Sequence, residues 1–159
     1  MLIVNDATVK GGTMFGMTTK RHTRAQLFAW QHRLPCITMV QSSGGFLPDP
    51  ANIFPDDGQA SSIMYNQVKM SSEGIAQIAL VHGPATAGGA HIPALCDEVV
   101  IIRTEGEASE EATGALNWAR QPWCAMVIGP VETRAVIAQL LDIAGRTPSR
   151  PTQFAVFRM

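Results

Sequence analysis

Charge is scarce in this chain: Asp, Glu, Lys and Arg make up 16% of its 159 residues, against a hydrophobic share of 46%. So little charge excludes a disordered, self-repelling polymer and points to a chain that buries much of its surface, part of it against another subunit. Neither sign dominates, since the formal net charge is −1. Without a basic field nothing recruits a phosphate backbone, so nucleic acid is not an expected partner. Cysteine is limited to Cys36, Cys96 and Cys124, with no C-x-x-C spacing. An odd, scattered set excludes a disulfide framework, indicates no zinc site, and suggests a reducing compartment. No two histidines stand at a metal-ligand spacing in a supportive context, so no metal is expected. Long apolar runs are missing as well: no window approaches the roughly 18 residues of a membrane span, and Asp6 interrupts the start too soon for a secretory leader. The expectation is a protein of the cytoplasm or an organelle matrix, away from the membrane. Ser42 and Ser43 lack a G-x-S-x-G elbow, which disfavours a serine hydrolase.

What is present reads as one domain, the length being within the roughly 100–200 residues of a single core. Leu2-Ile3-Val4 forms a short apolar run that ends at Asn5-Asp6 and the turn Lys10-Gly11-Gly12. Thr18 and Thr19 are candidate N-caps of a helix with Ala25, Phe28 and Ala29 on its buried face and Lys20, Arg21, Arg24 and Gln31 toward solvent. Cys36-Ile37-Thr38-Met39-Val40 follows as a strand covered on both faces, of the kind found in parallel sheets. Proline and aspartate between Phe46 and Gly58 predict a surface loop. A helix over residues 61–72, a strand at Ile78-Ala79-Leu80-Val81, a glycine turn with a short helix to Leu95, and a strand at Val99-Val100-Ile101-Ile102 complete repeated β-turn-α units. In that short helix Pro93 is tolerable within the first turn. Beyond Arg103 the character changes. Residues 1–106 read as the core and 107–129 as an acidic connector. Residues 130–159 read as a helix, striped by Val136, Ile137, Leu140, Leu141 and Ala144 and capped by Gly145, followed by an apolar tail. The stripe and the tail suggest self-association.

Three glycine turns carry the candidate chemistry. Gly88-Gly89, between a buried strand and a helix start, brings unpaired N–H groups and the positive end of a helix dipole together, a place for an anion or developing oxyanion; the plainer alternative is tight strand-to-helix packing. Lys10-Gly11-Gly12-Thr13 is a second such turn, able to supply another donor or to serve as an ordinary connection. Ser42-Ser43-Gly44-Gly45 follows a buried strand and so faces the same sheet edge, where α/β proteins place ligands. His91, two residues past the glycine pair, is a candidate general base; His82 ends a strand, and His22 and His32 are read as lying on the polar surface of a helix.

Several blocks in order extend this reading. Asn5-Asp6-Ala7-Thr8-Val9-Lys10-Gly11-Gly12-Thr13, Arg33-Leu34-Pro35-Cys36-Ile37, Phe54-Pro55-Asp56, Tyr65-Asn66-Gln67 and Thr86-Ala87-Gly88-Gly89-Ala90 through Asp97-Glu98 resemble the carboxyltransferase (beta) subunits of biotin-dependent acyl-CoA carboxylases, methylcrotonyl-CoA carboxylase in particular. The likeness is nearly continuous from Asn5 to Arg103. Glu132-Thr133-Arg134 and the ending Phe154-Ala155-Val156-Phe157-Arg158-Met159 resemble the extreme C-terminus of the same subunit. The resemblance implies a shortened crotonase-like α/β domain (ClpP/crotonase superfold) acting on a coenzyme A thioester. It implies biotin on a partner chain, and assembly as a homo-oligomer or as a hetero-complex with a carboxylase-type subunit. It also implies roles: Gly12, Thr13, Gly88 and Gly89 in catalysis, with Lys10, Gly11, Ser43, Gly44, Gly45, Ala87 and Ala90 around the acyl-CoA; His91 is a candidate catalytic base from its place beside the glycine pair alone. In crotonases two main-chain N–H groups hold the thioester carbonyl, and the turns at residues 10–13 and 88–89 occupy those places. The sequence departs from the family's pattern where Gln41-Ser42-Ser43-Gly44 replaces Asp-Ser-Gly-Gly and His91 replaces an aromatic residue. Three functions follow as expectations: enolate chemistry in carboxyl transfer or decarboxylation, a non-catalytic partner of a carboxylase, or another crotonase reaction, hydration or thioester hydrolysis.

Overall fold

The computed structural model describes residues 1–103 and 124–146. Five parallel strands form one sheet in chain order: β1 (Leu2–Val4), β2 (Cys36–Ser42), β3 (Gln77–Ala85), β4 (Glu98–Ile102) and β5 (Met126–Ile128). Strand after strand in the same direction requires a crossover between each pair. α1 (Gly16–Gln31) joins β1 to β2, α2 (Ala60–Ser72) joins β2 to β3, and α3 (Gly88–Ala94) joins β3 to β4. After β5 a single 3-10 turn, Pro130–Glu132, leads into α4 (Thr133–Arg146).

Alternation along the strands sorts their side chains between two helical layers. Ile37, Ile78, Leu80, Val100, Ile102 and Ile128 make one buried face, and Val136, Ile137, Leu140 and Leu141 of α4 pack on it. The intervening residues point the other way: Cys36 meets Ala29 of α1 and Met70 of α2, and Val40 meets Ile63 and Ile92 of α2 and α3. The repeated β-turn-α units expected from the sequence are therefore present. The stripe of the last helix, read as a self-association surface, packs in part on the protein's own sheet and is only partly buried there. Gly145 lies inside α4 and caps nothing. β5 falls within the segment expected to be a connector. The acidic run at 105–111 and the apolar tail lie outside the described residues.

α1 departs from its sequence reading in start and in face. It begins at Gly16 with no side-chain cap, and Thr19 turns its Oγ1 inward to donate to the Gly16 carbonyl at 2.8 Å. Its buried residues are Thr19, His22, Thr23, Gln26 and Ala29, whereas Phe28 is half exposed and stacks on His32. A polar stripe can be buried because its groups find partners. Thr23 Oγ1 donates to the Thr19 carbonyl at 2.9 Å, and Gln26 Nε2 reaches the Ile63 carbonyl at 3.1 Å while its Oε1 accepts from Asn66 at 3.3 Å. His22 is thus buried, not on the polar surface, and its Nε2 has no hydrogen-bond partner among the described residues. The loop after Phe46 contains a 3-10 turn, Pro50–Asn52, and is anchored by the fully buried Ile53. Pro93 sits near the end of α3, past the first turn, so its missing N–H leaves the Gly89 carbonyl without its helical donor.

Candidate functional site

Because the strands are parallel, the turns that follow β1, β2 and β3 all emerge at one edge of the sheet, the carboxyl end. The backbone stitches them together there. The Ser43 N–H donates to the Gly11 carbonyl at 3.1 Å and the Met14 N–H to the Gly44 carbonyl at 2.8 Å, joining the first two turns. The Thr86 N–H donates to the Ser42 carbonyl at 3.0 Å, joining the second to the third. Ser42, which the sequence reading passed over in favour of Ser43, is the hub. Its buried Oγ donates to the Gly12 carbonyl at 2.9 Å and accepts from the Gly44 N–H at 3.1 Å. A serine two residues past an apolar strand run and just ahead of Gly44-Gly45 was the signal available. Ser43 is exposed, with its Oγ donating to the Gly11 carbonyl at 3.2 Å.

The glycines divide into two kinds. At Gly12, held at φ 70°, a Cβ would stand 2.1 Å from the Gln41 carbonyl oxygen; at Gly89 it would stand 2.9 Å from both Cβ and O of Ser42. Those two are glycine because another chain segment presses on them. Their N–H groups are also engaged, Gly12 with the Val9 carbonyl at 3.0 Å and Gly89 with the Thr86 carbonyl at 2.9 Å. Gly88 differs. A Cβ there would meet only the terminal methyl of Met14, at 3.3 Å, and its N–H has no acceptor among the described residues. In the first turn the Thr13 N–H donates to the Lys10 carbonyl at 3.2 Å, while the Gly11 N–H has no acceptor among the described residues. Gly44, at φ 90°, lies against Ala87, with a Cβ position 3.6 Å from the Gly88 nitrogen. Ala87 itself is held at φ 48°, a left-handed conformation costly to a residue with a Cβ. It aims the chain so that Gly88 opens α3 and Ala90, half-buried, sits in its first turn. An unpaired main-chain N–H at a converging, glycine-lined edge is a donor to an oxygen brought from outside.

Side chains around the edge are few. Lys10, itself at φ 47°, carries its ammonium 5.7 Å from the ring of Phe15 and 5.3 Å from that of Phe46, two rings in tilted contact at 4.9 Å. Cations gain from such ring faces, so Lys10 is a positioned charge beside the first turn. Gly45 bridges to Met14 in parallel register. His91 is exposed on α3, and its imidazole makes no hydrogen bond among the described residues. His82, in β3, has a buried Nε2 without a partner among the described residues, and burial holds its pKa below the ordinary value. Burial pushes His22 down to about 4, so its imidazole is neutral at physiological pH. Gln41, which stands where the acid of the family pattern would be, lies over Gly83, its Cδ 2.4 Å from where a Cβ would be. Cys36, Cys96 and Cys124 are free thiols, and burial raises Cys96 to about 12, out of reach of thiolate chemistry.

Comparison with known proteins supplies a context for this edge. The family model described as the carboxyl transferase domain matches residues 1–117. Over 106 residues the chain is 53% identical to the biotin-dependent 3-methylcrotonyl-coenzyme A carboxylase beta1 subunit of Mycobacterium tuberculosis, covering 67% of this chain and 20% of that protein. It is 50% identical over 106 residues to the probable mitochondrial methylcrotonoyl-CoA carboxylase beta chain of Drosophila melanogaster, again 67% of this chain and 18% of the relative. The chain thus spans about a fifth of the length of these curated relatives. Among solved structures, the beta subunit of Pseudomonas aeruginosa geranyl-CoA carboxylase superposes with a TM-score of 0.74 at 28% identity, over 97% of this chain and 32% of that one. An enoyl-CoA hydratase of Mycobacterium avium subsp. paratuberculosis superposes with a TM-score of 0.70 at 13% identity, over 93% and 72%. The second likeness is one of fold alone, and it is the crotonase-like fold expected from the sequence.

Proposed function

This chain belongs to the carboxyl transferase domain family, and we propose that its three-turn edge holds the thioester carbonyl of an acyl-coenzyme A for enolate chemistry, carboxyl transfer or the related decarboxylation. One observation carries the reading: the Gly88 N–H, at the junction of three glycine turns within the matched region, has no acceptor among the described residues. Adding or removing a carboxyl group at the carbon next to a thioester places negative charge on the thioester oxygen. A main-chain donor fixed at that oxygen stabilises the charged state more than the neutral one, which is the requirement for catalysis. Gly88 is the first donor and the Gly11–Gly12–Thr13 turn supplies the second. Gly12 and Gly89 let the turns close, and Lys10, Ser43, Gly44, Gly45, Ala87 and Ala90 form the surrounding wall. Residues 1–106 form the functional core in this reading.

The partners follow from the same reading. The carboxyl carrier is biotin on another chain, and the protein works within a homo-oligomer or a hetero-complex with a carboxylase-type subunit. Among the described residues no helix is long and apolar enough to cross a membrane. We place the protein in the cytoplasm or an organelle matrix; the Drosophila and Arabidopsis thaliana relatives are named as mitochondrial. A second reading, a non-catalytic partner of a full-length carboxylase subunit, draws on Gln41, which stands where the family pattern has an acid. A third, hydration or thioester hydrolysis with His91 as base, draws on the exposed position of His91 three residues beyond Gly88. The test common to all is whether the protein distinguishes a CoA thioester from the CoA thioether that lacks the carbonyl. A neutral hydrogen bond contributes about 1 kcal/mol net, so the thioester should bind about fivefold more tightly per donor. Equal affinities would remove the oxyanion reading.

A further inference from the structure

Tyr65-Asn66-Gln67, one of the blocks that carry the family resemblance, lies on α2 and has no part in the three turns. Two of its side chains are buried amides, Asn66 at 5% exposure and Gln67 at 1%. A buried amide is costly unless its groups are paired. Asn66 turns to α1, its Nδ2 donating to Gln26 Oε1 at 3.3 Å. Gln67 reaches α3 instead: its Nε2 donates to the Ile92 carbonyl at 3.0 Å and lies 3.3 Å from Cys96 Sγ. A carbonyl only accepts, so the NH2 end of the amide must face it. Gln67 Oε1 has no partner among the described residues. One end of this buried amide therefore goes unsatisfied while the other is held on α3.

α3 depends on such a hold. It has seven residues, and a helix so short has too few internal bonds to keep its own direction. The Ile92 carbonyl is also denied its helical donor, because the Cys96 N–H donates to the Pro93 carbonyl at 3.0 Å. Gln67 supplies a replacement from α2. Apolar contacts of Ile92 with Val40, Ile63 and Ala85 keep α3 close, but they are non-directional and leave its tilt open. Two contacts fix that tilt: Gly89 against Ser42 near the start, and Ile92 on Gln67 about 4.5 Å further along the axis. The Gly88 N–H points along the same axis, so tilting α3 turns the donor with it, and a hydrogen bond weakens steeply once bent. We propose that Gln67 is a positioning residue, which by capping Ile92 from α2 aims the Gly88 N–H at the thioester oxygen without touching the ligand. The inference rests on the thioester reading and adds to it a residue on an element outside the three-turn edge.

Calorimetric affinities of acetyl-CoA and of the thioether S-ethyl-CoA, measured on the full chain, test it. Gln67→Met and Gln67→Leu put apolar side chains of similar size in place of the donor, and both remove the unpartnered Oε1, which offsets part of the lost bond. Having two variants keeps the test intact if one fails to fold. In the folded variants the thioester preference should fall from about fivefold to about twofold or less, while the affinity for S-ethyl-CoA stays within about twofold of the unmodified protein. Met70→Ala, about one turn further along α2 and packed on Ala29, Cys36 and Ile75, lowers stability without removing the Gln67 bond. Its thioester preference should remain about fivefold. A preference that the folded Gln67 variants keep, an equal loss of affinity for both ligands, or a loss of preference shared by Met70→Ala would overturn the positioning role and leave the thioester reading standing. No preference in the unmodified protein would remove the thioester reading and the positioning role with it.

Discussion

Gly12, Gly88 and Gly89 are interchangeable on paper and differ in what a side chain would meet. Alanine at Gly12 would force a Cβ to within 2.1 Å of a backbone oxygen at a left-handed φ, and should cost more than about 3 kcal/mol or prevent folding. At Gly89 the obstruction is Ser42 at 2.9 Å, and the cost should be about 1–3 kcal/mol. At Gly88 a methionine methyl can move aside, so alanine should stay within about 1 kcal/mol of the original. Thermal unfolding of the three variants checks that order. The sequence located the glycine pair between a strand and a helix. It did not reveal which of the two has a free donor, because that depends on how the turn folds, which brings the Gly89 N–H to the Thr86 carbonyl and leaves that of Gly88 without an acceptor among the described residues. His22 was misplaced for a related reason: it is polar and sits on a helix, but the face it shares with Thr19, Thr23 and Gln26 is the buried one. Its burial gives a pH dependence. With its pKa lowered from 6.5 to about 4 in the folded state, the unfolded chain takes up the proton first as pH falls. The His22 contribution is therefore complete above pH 6.5 and is lost as pH drops toward 4, by a total on the order of 3 kcal/mol. Urea midpoints measured between pH 7 and pH 4 should show this slope in the unmodified protein and a shallower one in His22→Leu.

At the scale of elements, β2, β3 and β4 were legible because strands buried on both faces read as unbroken apolar runs. β5 was not. It has three residues and stands at the sheet edge, so it carries too little pattern to separate from a connector. α4 was legible as an amphipathic helix but not as to its partner, since periodicity marks an apolar face without saying what covers it. The covering is the protein's own sheet. Leu140→Asp should accordingly lower stability by about 1–3 kcal/mol, because a charge would be set against the apolar sheet face that this half-buried residue packs on. Val131→Asp, at a position 95% exposed, should change it by less than about 0.5 kcal/mol. Denaturant unfolding followed by circular dichroism distinguishes the two. Similar losses from both, or none from Leu140→Asp, would mean that α4 is not held on the sheet.

For the whole molecule, the arrangement that matters is a parallel sheet whose first three strands deliver their turns to one edge. The family resemblance was legible in the blocks from Asn5 to Arg103, and the match to residues 1–117 agrees with it. What the blocks alone did not convey is how the edge divides its labour. Ser42 ties the turns, Gly12 and Gly89 let them close, and Gly88 keeps a donor. The account stands or falls on whether that edge holds a thioester oxygen. The most direct measurement is the calorimetric affinity of acetyl-CoA against that of S-ethyl-CoA, which keeps the nucleotide and pantetheine and lacks only the carbonyl. A preference of about fivefold or more for acetyl-CoA, reduced in a folded Gly88→Val variant, is the predicted result. Equal binding of the two ligands, or a preference that Gly88→Val leaves intact, would contradict it.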